Sequence, residues 1–139
     1  MLFRSGKAVE YLRLAGEFAI QRSAHQEAQH YLKSALARLD GSPRLPDKLL
    51  YLAQLWLSLG VSLQVTLGYA ADAVRLAYEN AVAYSEQAQA PHLLLASLRG
   101  YGIFNIVKAN YSEAEKIADR KSTRLNSSHS SVSRMPSSA

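Results

Sequence analysis

Few residues of this sequence could do chemistry, and their spacing does not assemble a site. The dipeptide Gly6-Lys7 is followed by Ala8 and has no glycine before it. A phosphate-binding loop needs an upstream glycine-rich turn and a Ser or Thr after its lysine. His25 and His30 are five residues apart, which is not the i, i+4 spacing that lets two imidazoles on one helix share a metal ion.

The carboxyl and hydroxyl side chains give no catalytic set either. Glu113 and Glu115 are two residues apart and diverge on a helix. Ser23, His25 and Glu27 lie close together at a predicted helix start, where a serine serves as a cap. Cysteine is absent, which removes disulfides, thiolate metal sites and a cysteine nucleophile. We therefore expect no catalytic residue, no cofactor and no metal site, and hence no enzyme.

Helical periodicity runs through the sequence and predicts an all-α chain of about six helices. Ser23 and Asn110 each precede a Gln or Glu by three residues, a capping-box pattern that predicts the starts of the second and sixth helices. Pro46 and Pro91 suit the first turns of the third and fifth helices, and Gly68 suits the end of the third. No segment alternates as a strand would.

The apolar positions of each predicted helix define its expected core face. They are Ala28, Leu32, Ala35 and Leu39 in the second helix, Leu52, Leu55, Trp56, Leu59, Leu63 and Leu67 in the third, and Leu94, Leu95, Leu98, Tyr101, Gly102 and Ile106 in the fifth.

A repeat emerges when the helix pairs are aligned on Gly16, Gly60 and Gly102, which are 44 and 42 residues apart. A Leu or Trp precedes each glycine by four residues, and an Ala follows two of the glycines by twelve. Small residues at a helix crossing let two helices approach closely. The predicted units are residues 7–39, 47–87 and 91–118, and their structural positions are Leu12, Gly16, Ala28, Leu32, Ala35, Trp56, Leu59, Gly60, Leu98, Gly102 and Ala114.

This pattern resembles a degenerate tetratricopeptide repeat, which implies antiparallel helix pairs stacked as an α-solenoid. The stretches AVEYLRLAGEFAIQRSAHQEAQHYL, LWLSLGVSLQVTLGYAADAVRLAYENA and ANYSEAEKIA are also similar to the repeat region of bacterial adenylate/guanylate cyclase-associated predicted ATPases. That resemblance implies a cytoplasmic, non-catalytic module for protein interaction or regulation in a multidomain signalling protein. Two alternatives are the repeat region of an ATPase-type transcriptional activator and a free-standing repeat adaptor.

Such a module would bind a protein, a peptide or another domain of its own parent chain. In stacked helix pairs the first helix of each pair faces the concave side. The polar residues expected there are Arg13, Glu17, Gln54, Gln64 and Arg99. The tyrosines that recur through the helices are expected to fill gaps between helices, with their hydroxyls at the surface.

The charge of +5 would favour nucleic acid if it were spread over the chain. Residues 119–139 hold four basic residues and one acidic residue, which leaves 12 basic and 10 acidic residues, a net of +2, in residues 1–118. We therefore expect no nucleic-acid partner. The apolar runs are interrupted by Ser, Gly and Gln, so no membrane span is expected either.

Residues 119–139 do not read as part of the repeat. Eight of these 21 residues are Ser, and no helical or strand period is visible, so we expect this tail to be unstructured. Residues 119–129 (DRKSTRLNSSH) and 133–139 (SRMPSSA) are identical to one reading frame of a widely used sequencing-library adapter, with residues 130–132 in its variable index. The tail is thus interpreted as translated adapter that interrupts the sixth helix after residue 118.

Overall fold

A computed structural model describes residues 2–42 and 45–134, with side chains over residues 6–42 and 45–121. Pro43, Arg44 and residues 135–139 of the tail lie outside this range. The described part is all-helical and holds five helices: α1 (Leu2–Gln21), α2 (His25–Asp40), α3 (Lys48–Leu67), α4 (Asp72–Gln87) and α5 (Pro91–Arg134). The predicted all-α class is confirmed.

Each helix packs on the next one along the chain. Short connections between successive helices make neighbours antiparallel. Smaller contacts join α1 to α3 and α3 to α5, whereas α2 and α4 both lie against α3 and do not touch each other. The odd-numbered helices therefore share one side of the molecule and α2 and α4 share the other, a packing consistent with a helical repeat.

The core centres on α3, which has seven buried residues. The largest fully buried apolar side chains outside α3 are Val9, Leu32, Leu39, Val74 and Tyr78. By length and composition α3 would also pass as a membrane span, with a mean hydropathy of 1.4. The core helix of a soluble protein passes the same test, and α3 contacts all four other helices here.

The start of α2 differs from the prediction. Ser23 has a left-handed backbone with φ of 62°, its amide donates to the carbonyl of Ile20, and the amide of Ala24 donates to the carbonyl of Ala19. This pair of bonds is a Schellman motif, which closes the C-terminus of a helix. Ser23 thus ends α1, and Ala24 is the N-cap of α2, without a side-chain cap bond.

The predicted boundary at Asn110 is absent, because α5 continues without a break from Pro91 to Arg134. No glycine or proline lies between Gly102 and Pro136, and an existing helix gains one backbone hydrogen bond for each residue it adds. Residues 119–134 therefore extend α5, contrary to the unstructured tail that the sequence predicted. The predicted sixth helix is not a separate element.

The predicted core face is confirmed in α2 and is wrong for three of its six residues in α5. Ala28, Leu32, Ala35 and Leu39 are all fully buried. In α5 the buried residues are Ser97 and Phe104, while Leu95, Leu98 and Ile106 are 60%, 47% and 62% exposed. The reason is that α5 packs only on α3 and α4, so its opposite face has no neighbour. Leu67 at the end of α3 is also exposed.

Candidate peptide-binding groove

The polar residues predicted for a concave surface are mostly used within the fold. Arg13 forms ion pairs with Glu10 and Glu17 along α1, and its side chain is only 15% exposed. The Oε1 atom of Gln64 accepts a hydrogen bond of 2.6 Å from the hydroxyl of Tyr78. Gln54 is half-buried and Arg99 is exposed. The described contacts join no two of these residues from different helices, so they do not converge on one site.

The three repeat glycines are in different surroundings. A Cβ atom on Gly16 would lie 2.7 Å from Leu32 of α2, and one on Gly60 would lie 3.1 Å from the ring of Tyr78 of α4. A Cβ atom on Gly102 would have no heavy atom within 4 Å. Ala114, predicted to be equivalent to the buried Ala28, is exposed. The first two glycines therefore stand at helix crossings, and the third faces open space.

One apolar depression of the described structure is formed by residues of three helices. It is a groove of about 630 Å³ between α2 and α4, with α3 as its floor. We call it the α2–α4 groove. It lies where α2 and α4 both pack on α3 but not on each other.

The lining of the groove follows from helical spacing. Trp56, Leu59, Leu63 and Leu67 form one stripe of α3 at i, i+3, i+7 and i+11. Leu36 and Ala37 of α2, with Ala73 and Leu76 of the first two turns of α4, form its walls, and Gln29, Lys33 and Asp40 of α2 add polar atoms. Leu67 and Leu76 are 56% and 49% exposed, so apolar surface is accessible at the end of the groove near α4.

A hydrogen-bond network fixes that end of the groove. The Nε2 atom of Gln29 donates to Ser62 Oγ at 3.2 Å and to Thr66 Oγ1 at 3.0 Å, and His25 Nδ1 lies 3.1 Å from Ser62 Oγ. Ser62 is fully buried. The Ser–His contact therefore has no access for a substrate, and the network serves to hold α2 against α3 and to set one wall of the groove.

A second cleft, of about 490 Å³, lies beside the N-terminal half of α1 and is lined by Gly6, Lys7, Glu10, Leu45, Pro46, Asp47 and Tyr51. The hydrogen bond from Arg13 lowers the pKa of Glu10, and burial raises the pKa of Tyr51. Both shifts keep each group in its ordinary state at neutral pH. A charged carboxylate already paired with an arginine is a poor general base, so this cleft offers no acid–base pair.

Other chemistry has little support in the described part of the chain. Within it, no three His, Cys, Asp or Glu side chains come close enough together to hold a metal ion. Gly6 and Lys7 lie on α1 itself, so their amides belong to a helix and cannot wrap a phosphate as a glycine-rich loop does.

Comparisons with protein-family models, with curated proteins and with solved structures found no match. Sequence reasoning placed the binding surface on the odd-numbered helices and missed the α2–α4 groove. The predicted core position is confirmed for Leu59 and Leu63, which are buried, whereas Trp56 is half-buried and Leu67 is exposed.

Proposed function

We propose that this chain is a non-catalytic helical-repeat module whose α2–α4 groove binds an amphipathic helix of a partner protein. The observation that carries the proposal is the apolar surface of the groove formed by the half-buried Trp56 and the exposed Leu67 of α3 together with the exposed Leu76 of α4. Soluble proteins seldom leave contiguous apolar surface of this kind open unless it binds a partner.

The shape of the groove favours a helical partner. Helix-binding grooves receive apolar side chains at i, i+3 or i+4 and i+7 of the ligand, and the volume of about 630 Å³ has room for a few such side chains. Lys33 and Asp40, seven residues apart on the α2 wall, can pair with opposite charges on the ligand. Such rim pairs set orientation more than affinity.

The resemblance to the repeat regions of cyclase-associated ATPases supports a regulatory setting. In a cytoplasmic signalling protein of that kind, the ligand would be a helix of a partner protein or of another domain of the parent chain. We further propose that residues 119–139 are adapter-encoded and take no part in this function, and we assign the module to residues 1–118.

The test uses Trp56, the only tryptophan of the chain, as a reporter in the groove floor. A library of helical peptides about 15 residues long (roughly four turns) is displayed and selected on the full chain. Binding of each selected peptide is then measured by Trp56 fluorescence and by calorimetry. We expect selected peptides to carry apolar residues at helical spacing and to shift the Trp56 emission to shorter wavelength.

Matched variants locate the binding site. Leu67→Glu and Leu76→Glu place a charge in the groove, and Leu14→Glu places one at a similarly exposed position of α1 (51% against 56% and 49%). Each groove variant should weaken binding at least tenfold, which corresponds to about 1.4 kcal/mol, while Leu14→Glu should leave it unchanged. Circular dichroism checks that all three fold. Equal loss in all variants, or loss only in Leu14→Glu, contradicts the proposal.

A further inference from the structure

The outer face of α5 has the features of a helix-packing surface, but no helix covers it. Gly102 lies on the same stripe of α5 as Leu95, Leu98 and Ile106. These three apolar side chains are about half or more exposed, and no heavy atom lies within 4 Å of a Cβ atom built on Gly102. We call the surface formed by these four residues the Gly102 face.

The spacing of the repeat glycines indicates which helix should cover this face. Gly60 of α3 is 42 residues before Gly102 and is covered by Tyr78 of α4, and Gly16 of α1 is covered by Leu32 of α2. In both cases the covering residue belongs to the helix that follows the glycine in the chain. The helix that covers the Gly102 face should thus follow α5 directly.

The residues that follow Gly102 have the register of such a helix. Ala24, the N-cap of α2, comes eight residues after Gly16, and Asn110 comes eight residues after Gly102. Ala28, fully buried, comes twelve residues after Gly16, and Ala114 comes twelve after Gly102. Asparagine is a far better N-cap than alanine, so the start of a helix at this position is encoded more strongly here than in α2.

The same residues have no packing role in the straight helix. Tyr111 and Ile117 are 58% and 48% exposed, and residues 113–121 are all exposed. The chain therefore contains both an open helix-packing face and an apolar segment without a place to pack, joined by a linker of the length that connects α1 to α2.

We infer that residues 111–118 have a second conformation, in which they fold back as a separate helix onto the Gly102 face, with a turn at residues 108–110. Two forms of α5 then interconvert: the continuous helix, which leaves the Gly102 face open, and a hairpin, which covers it. Ala114 crosses at Gly102 in the hairpin, and Ala118 takes the place that Leu32 has over Gly16. This inference concerns α5 and is independent of the α2–α4 groove.

Distance measurement between two spin labels tests it on the full chain. The chain has no cysteine, so the double variant His92→Cys with Lys116→Cys labels at two exposed positions only. In the continuous helix these Cα atoms are about 36 Å apart, from a rise of 1.5 Å per residue. In the hairpin they are about 18 Å apart, from the same rise and the usual spacing between packed helices. We expect both distances to be populated.

Two substitutions and one control make the result specific. Asn110→Ala removes the cap that only the hairpin uses and should lower the short-distance population about fivefold. Gly102→Leu fills the crossing and should abolish it. Asn105→Ala is interior to a helix in both forms and should leave the populations unchanged. A single distance near 36 Å in the parent chain overturns the inference. A short distance that disappears on dilution with unlabelled chain also overturns it, because the contact then belongs to a second copy.

Discussion

The aromatic ring of Tyr78 occupies the space that a side chain on Gly100 would need. A Cβ atom built on Gly100 would overlap the ring of Tyr78, and one built on Gly60 would press on the same ring from α3. One buried side chain of α4 therefore sits between glycines of two other helices, and the join between α3, α4 and α5 depends on both glycines lacking a side chain.

Gly100→Ala should destabilise the fold by about 1–3 kcal/mol, the usual cost of overfilling a packed interior. Gly102→Ala, two residues away on the same helix, should be neutral or should stabilise the continuous α5 by up to about 1 kcal/mol, because alanine has the higher helix propensity and open space surrounds this position. Urea unfolding followed by circular dichroism measures both. Equal effects of the two substitutions would show that Tyr78 does not pack against Gly100.

Tyr78 should make stability depend on pH in the alkaline range. Burial raises the pKa of Tyr78 to about 12, above the value of about 10 for an exposed tyrosine. The folded state holds this proton more tightly than the unfolded state, so the contribution is present below about pH 10 and is lost as pH rises towards 12. We expect the free energy of unfolding to fall by up to about 2–3 kcal/mol over that range.

Tyr78→Phe supplies the comparison for this alkaline loss. It should cost about 1 kcal/mol at pH 8, because Gln64 loses its hydrogen bond, and it should lack the component of the loss that Tyr78 causes. Unfolding curves of the two proteins at a series of pH values decide the matter. Parallel curves between pH 8 and pH 12 contradict the assigned shift.

Replacement of three buried serines by alanine should destabilise the fold at one position and not at the other two. Ser62 Oγ binds Gln29 and contacts His25, so Ser62→Ala leaves polar partners unsatisfied and should cost about 1–2 kcal/mol. Ser85 Oγ and Ser97 Oγ are buried without a hydrogen-bond partner in the described structure. Their replacement by alanine should be neutral or should stabilise the fold by about 0.5–1 kcal/mol. Thermal unfolding ranks the three, and a shared sign for all of them refutes this reading of the network.

A stop codon after residue 118 should leave the free energy of unfolding within about 0.5 kcal/mol of the full chain, the range of a change at an exposed surface. Residues 119–121 are exposed on α5, away from the core formed by α1–α4 and the first turns of α5. Urea unfolding of the two chains is the measurement. A larger loss would mean that residues 119–139 are part of the fold, and the proposal that they are adapter-encoded would fail.

The sequence correctly predicted the core face of α2, which packs between two other helices. Ala28, Leu32, Ala35 and Leu39 were predicted and are all buried, because a regular apolar stripe identifies the core face when a partner helix covers it. The same reasoning failed for Leu95 and Ile106, because an equally regular apolar stripe faces solvent there. Periodicity shows which side of a helix is apolar, but it carries no information on whether a neighbour is present.

The two turns that sequence analysis misread had local causes. Ser23 satisfies the pattern of an N-cap, but its backbone closes the preceding helix. A helix start and a helix end can each have a small polar residue at this position. Asn110 and the residues after it have the pattern of a helix start. The continuous helix forms the same backbone hydrogen bonds without a turn. The groove could not be predicted because it depends on the distance between α2 and α4, which do not touch and so leave no trace in each other's sequence.

Among the described residues, the contacts between helices join only helices that are neighbours or next neighbours along the chain. Such a chain need not close long loops before its contacts form, so it should fold quickly for its size. Its stability should also be distributed along the stack, as in other linear arrays. Destabilising substitutions in α5 should therefore unfold that end first and leave the α1–α2 hairpin protected from hydrogen exchange. Destabilising substitutions in α3 should unfold both halves together.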